Sequence, residues 1–106
     1  MTNKEVAEAF AENSCCNTRS LHMIYNSQSG IIYSYGMHFP IAKRMYREGK
    51  DDLIIFTTLR YSQTTARHKS LVLIAIGNIP CEIKFVDNVE GYSEVKYEPQ
   101  RDFING

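Results

Sequence analysis

From Ile31 to Ile41 the odd positions (Ile31, Tyr33, Tyr35, Met37, Phe39 and Ile41) are apolar or aromatic, whereas most even positions are small or polar. A period of two predicts a strand with one face buried and the other more open. Gly36 within the run predicts a bulge or a close approach by another backbone. Pro40 has no N–H to donate, so the strand is at a sheet edge or stops pairing there. Leu21–Tyr25 is a strand candidate upstream, and Asn26–Gly30 between the two predicts a hairpin turn. After the charged turn Arg47–Asp52, the run Leu53–Thr58 is apolar on both faces, as an inner strand would be.

Helical signals flank these strands. Thr2-Asn3-Lys4-Glu5 has the pattern of a capping box, in which a hydroxyl and a carboxylate satisfy orphan backbone N–H groups. Val6, Ala9 and Phe10 then predict a short amphipathic helix to about Glu12, packed on a sheet surface. Asn13–Thr18 reads as a polar loop. Ser62 or Thr64 can cap a helix from about Thr65 to Ile76, with Gly77 at its stop. Leu71–Ile76 is short and branched enough to pass as a strand, but the capping residues favour helix. Cys81–Val86 and Tyr92–Tyr97, joined across Asp87–Gly91, predict a second hairpin.

The expected fold class is therefore α+β: an antiparallel sheet of four to six strands, one main helix after the central strand, and a short N-terminal helix. Residues 1–106 form a single compact domain in this reading. Leu53, Ile55, Phe56, Leu71, Ile74 and Ala75 are the expected core, with Tyr33, Tyr35 and Phe39 against it.

Net charge is zero, but it is unevenly spread. Residues 37–70 carry seven basic against three acidic side chains, and residues 71–106 carry three against six. A basic middle and an acidic tail permit an anionic partner for one face, or a match within the chain. Cys15, Cys16 and Cys81 are an odd number with two adjacent, which is no disulfide framework. With no apolar signal-peptide core and no run near the roughly 18 apolar residues of a bilayer span, the expectation is a cytoplasmic chain without a membrane partner.

Three constellations carry candidate chemistry. Thr64, Thr65, Arg67 and Lys69 at the helix entry combine hydroxyls, free N–H groups and cations, as a bound phosphate or carboxylate requires; the plainer reading is a capped helix with solvated side chains. Tyr33, Tyr35, Phe39, Tyr46 and Tyr61, interleaved with Lys43, Arg44, Arg47 and Arg60, could stack bases and follow a phosphate backbone, although burial of those rings in the core is the commoner fate. Ser34, Ser62, His38 and His68 contain the parts of a base–nucleophile pair, but no spacing or nucleophile elbow demands one. Cys15, Cys16 and His22 lack a known metal-ligand spacing. The expectation is no catalytic set, no metal and no cofactor.

The stretch Tyr33-Ser-Tyr-Gly-Met-His-Phe-Pro-Ile-Ala42, a Phe-Thr-Thr strand and Tyr61-Ser-Gln-Thr-Thr-Ala-Arg-His68 together resemble a small domain family scattered through phages, prophages and plasmids. The resemblance spans roughly Ile31 to Ala75. It implies a mobile-element origin, in a bacterial host cell, and no particular mechanism. Taken with the lack of catalytic chemistry, it leads to the expectation of a small binding protein that occludes or modulates a host defence or regulatory protein. The alternatives are a nucleic-acid-binding module using residues 37–70 and capture of a small anion at residues 62–69. The expected partner surface is a rim formed by His38, Arg44, Arg60, Tyr61, Arg67 and His68, where strand and helix ends converge. A homodimer is also allowed, through an edge strand near Pro40.

Overall fold

The computed structural model describes residues 1–60 and 62–92. The chain order is α1 (Asn3–Ala11), β1 (Thr18–Arg19), β2 (Met23–Asn26), β3 (Ile31–Ser34), β4 (Phe39–Met45), β5 (Asp52–Thr57), α2 (Gln63–Ile76) and β6 (Cys81–Val86). The six strands lie in one sheet in sequence order. This is the α+β arrangement expected from the hydropathy pattern, with one refinement. β1 to β5 pair antiparallel, but β6 runs parallel to β5. A parallel neighbour needs a long crossover, and α2 provides it. Cys81–Val86 is thus a strand, as expected, but β5 is its partner among the described residues. The proposed return strand, Tyr92–Tyr97, lies outside the described residues beyond Tyr92.

The alternating run Ile31–Ile41 is two strands and not one. Tyr35 and Gly36 both adopt positive φ, 60° and 64°, which reverses the chain between β3 and β4. Left-handed backbone at two successive residues suits a hairpin turn and is costly for a residue with a Cβ. The Tyr35 N–H, donated to the His22 carbonyl at 2.7 Å, helps hold it there. The alternation did not reveal this break because all four residues of β3 are buried. Pro40 pairs with Tyr33 on one side, while the ladder from β4 to β5 starts only at Ala42. Pairing towards β5 therefore stops at Pro40, and β4 is an inner strand.

Both helices lie on one face of the sheet. Thr2 and Glu5 form the expected capping box at α1. Val6, Ala7, Phe10 and Ala11 of α1 and Val72, Ala75 and Ile76 of α2 pack with Met23, Tyr25, Ile32, Ile41, Ile54 and Phe56. On the opposite face Leu53, Ile55 and Val89 form a smaller cluster. Of the expected core, Phe56, Ala75 and Phe39 are in the main cluster, whereas Leu53 and Ile55 are buried in the smaller cluster on the opposite face and Tyr33 is buried outside both. The expectation is wrong for Ile74, which is 68% exposed, because α2 turns Val72 and Ile76 inward. Leu71 and Tyr35 are only partly buried. α2 starts at Gln63, two residues before its expected start, with the Ser62 hydroxyl accepting from the Thr65 N–H.

Candidate functional site

A chain of polar side chains runs between the two helices and the β3–β4 turn. The Met23 N–H donates to Ser20 Oγ at 3.1 Å, and the Ser20 hydroxyl donates to Asn3 Oδ1. That contact turns the Asn3 amide so that its Nδ2 faces His68 Nε2 at 3.3 Å. Nε2 accepts there, so Nδ1 carries the proton and donates to Ser34 Oγ at 2.6 Å. Ser34 Oγ lies 3.5 Å from Thr65 Oγ1, which accepts from Ser62 Oγ at 3.2 Å. Tyr35 OH lies 3.4 Å from Ser62 Oγ.

The sequence folds this way for local reasons. Ser62 and Thr65 belong to the start of α2, Asn3 opens α1, and Ser34 is the last residue of β3 before the turn. His22 stacks over His68, with ring centroids 6.3 Å apart, and meets Tyr35 edge-on at 6.2 Å. Burial, reinforced by the facing His22, pushes the His68 imidazole below its ordinary pKa. The Ser62 and Thr64 hydroxyls lower the Tyr35 phenol.

Ser, His and Asn in hydrogen-bonded series invite a catalytic reading, and the geometry argues against it. A base that activates a serine must accept the serine proton, whereas His68 donates to Ser34. Ser34 is fully buried and His68 is 3% exposed, so a substrate in solvent reaches neither. Buried polar groups satisfied by one another rigidify and specify a packing arrangement. The series ties α1, α2 and the β3–β4 turn together.

The six rim residues do not all converge. His38, in the β3–β4 turn, and Arg60, after β5, are exposed at the same end of the sheet as the start of α2. Arg67 is exposed on α2 nearby. Arg44 is at the other end of β4, opposite Ile54. Its guanidinium pairs with Asp52 at 2.7 Å and donates to the carbonyls of Phe10 and Ala11, capping the C-terminus of α1. Arg44 is therefore a structural residue and not part of the rim. His68 sits beneath the rim and not on it. Tyr61 lies outside the described residues.

At the helix entry, Arg67, His68 and Lys69 fall in the second turn because α2 begins at Gln63. Thr65 is buried in the polar series, whereas Thr64 is half-exposed. Lys69 donates from Nζ to the Leu59 carbonyl at 2.9 Å and lies 5.8 Å from the centre of the Phe56 ring. Burial and the neighbouring Arg60 charge lower its pKa. Beside it is a groove of about 490 Å³ whose lining includes Arg60, Ser62, Gln63, Lys69, Ser70 and Leu73, with no carboxylate among the described residues.

Sequence reasoning missed Asn3 and Tyr35 as partners of His68 and Ser20 as the partner of Asn3, and it weighed His22 only with Cys15 and Cys16. The contacts of Ser34 and His68 join residues 31 to 65 positions apart, so no spacing could reveal them. The available signal was compositional: Asn, Ser, Thr and His concentrated at element ends. Among the described residues, no group of three or more His, Cys, Asp or Glu is placed to hold a metal ion, and no helix is long and apolar enough to cross a membrane. No family model, characterised protein or solved structure matches this chain.

Proposed function

We propose that this chain is a small binding protein that acts by covering a surface of another protein with the rim at the start of α2. The observation that carries this reading is the division of labour at that end of the molecule. Ser34, Thr65, His68 and Asn3 are committed to one another below, while His22, Met37, His38, Arg60 and Arg67 stand exposed above them. A preorganised base under a mixed aromatic and cationic surface favours protein recognition, because little order has to be gained on binding. The finer part of the proposal, a mobile-element protein directed at a host defence or regulatory factor, rests on the resemblance of Tyr33–Ala42 and of residues 61–68.

The test is capture from a bacterial lysate with the wild-type chain and the Arg67→Glu variant side by side. A protein retained by the first and lost by the second supports the rim. Equal retention by both removes the rim from the interaction.

A second reading is favoured by the groove between Arg60 and Lys69, which has cations and hydroxyls but no carboxylate among the described residues. It would take an anion, either a small phosphate or carboxylate or a nucleic-acid backbone. Titration with inorganic phosphate and with a short oligonucleotide at two salt concentrations separates these from protein capture. Backbone binding weakens steeply with salt.

A further inference from the structure

Among the described residues β6 ends the sheet, and Ile83 and Phe85 on it are not covered. Ile83 and Phe85 are 37% and 58% exposed. The Thr58 N–H donates to the Val86 carbonyl at 2.8 Å, so Val86 aims its backbone at the β5 side. By the alternation of a strand, Lys84 and Glu82 do the same, and Cys81, Ile83 and Phe85 aim their N–H and C=O groups outward from the sheet. An edge with free backbone groups and exposed apolar side chains is a template for another strand.

We infer that this edge pairs with the β6 edge of a second copy of the chain, antiparallel and centred on Ile83. The register follows from the side chains. Around a two-fold axis at Ile83, Cys81 lies opposite Phe85 of the second copy, Ile83 opposite Ile83, and Phe85 opposite Cys81. These three residues share the helix-side face, where Cys81 packs on the main core and the Phe85 ring meets Phe56 at 5.8 Å. On the other face Glu82 lies opposite Lys84 of the second copy, and Lys84 opposite Glu82. Opposite charges facing across strands are stabilising, and like charges are not. Centring on Glu82 or on Lys84 would set like charges face to face, so the charges select the Ile83 register.

The outward-aimed residues are also those that an antiparallel ladder requires as hydrogen-bonded pairs, alternating with the Glu82–Lys84 pair. Among the described residues Lys84 meets only the neutral Tyr92, donating to its hydroxyl at 3.2 Å and lying 5.4 Å from its ring centre. Glu82 pairs with Arg47 but remains 66% exposed, open to a second cation. The pairing joins two six-stranded sheets into one and leaves the rim free, so it does not depend on what the rim binds.

The test is sedimentation of the full chain over a wide concentration range, with thermal melting of each variant as a check of folding. Twice the chain mass is expected for the wild type. Lys84→Glu should raise the dimer Kd about tenfold or more, because attractive pairs become repulsive. Ile83→Pro removes an outward N–H and should abolish dimerisation without breaking the β5 ladder. The swap Glu82→Lys with Lys84→Glu should restore the dimer that Lys84→Glu alone weakens. A wild-type chain that stays monomeric throughout overturns the inference. So does a dimer undiminished by both single variants, or a swap no better than Lys84→Glu alone.

Discussion

The region around His68 and the region around β6 depart from ordinary burial in opposite directions. Near His68, polar side chains that could face water are buried: Ser34, Thr65 and His68 are at most 3% exposed. At β6, Ile83 and Phe85 stay open to solvent. Desolvating polar groups is costly unless they are paired, and leaving large apolar ones in water forgoes stabilisation. The first departure is offset within the chain, since each buried group finds a partner there. The second is not offset by any described residue. The contrast teaches where each region's specificity is directed: the polar series fixes internal packing, and the edge presents a surface to something outside.

Phe56, in the main core beneath Phe85 of β6, gives the largest expected effect. It is 1% exposed, touches Phe85 edge-on and belongs to the main core. Phe56→Ala should cost roughly 3–5 kcal/mol in denaturant unfolding. A melting curve close to wild type would mean that β6 and the central strand do not rest on this core.

Arg44 comes next. Its guanidinium satisfies two α1 carbonyls and Asp52, and hydrogen bonds involving charged groups are worth about 1.5–3 kcal/mol. Arg44→Ala should lose stability in that range. Addition of salt should recover none of it if the helix cap dominates over the ion pair.

The polar series is tested by Ser34→Ala, which leaves the Nδ1–H of His68 buried without an acceptor and should cost roughly 1–3 kcal/mol. His68→Ala together with Ser34→Ala should cost less than the two single losses summed, because the first change already removes the contact. Strict additivity would show that the series is not coupled. A smaller effect follows from pH. The unfolded chain protonates His68 near the ordinary value of 6.5, while the fold holds it neutral to lower pH. The unfolded state therefore binds more protons in that window. The His68 contribution is complete above pH 6.5 and declines as pH falls below it. Replacing His68 with Asn should remove that part of the slope and leave any acid loss from carboxylates.

These regions were not equally legible in the sequence. The capping box at Thr2–Glu5, the strand expected over Leu53–Thr58 and found over Asp52–Thr57, and the helix ending at Ile76 depend on local chemistry, and local pattern showed them. The turn at Tyr35–Gly36 stayed hidden because β3 is covered on both faces, which removed the usual difference between its alternate residues. The parallel course of β6 is set by the length of the α2 crossover and by what β5 leaves open, and hydropathy carries no direction. For the candidate site, element order alone brought Arg60, Arg67 and His38 to the end of the sheet where α2 starts. Arg44 was misplaced because its partners, Phe10, Ala11 and Asp52, come from two distant elements.

The smallest expected effect on stability belongs to Arg67, and it sharpens the comparison most. Arg67 and Arg44 are the same residue type from the same basic segment, but Arg67 is exposed and has no hydrogen-bond or ion-pair partner among the described residues. A solvated side chain of this kind contributes little to folding, so Arg67→Glu should shift stability by no more than about 0.5 kcal/mol. The informative quantity is the difference between two readouts on one variant. If the rim binds a protein, Arg67→Glu weakens capture while the melting temperature stays close to wild type. If a nucleic-acid backbone is the partner, the same change also reduces the slope of affinity against salt by about one charge. If the melting temperature falls as far as it does for Arg44→Ala, then Arg67 supports the fold. The exposed cations at the start of α2 would then belong with the buried series below them, and the binding surface would have to lie elsewhere on the molecule.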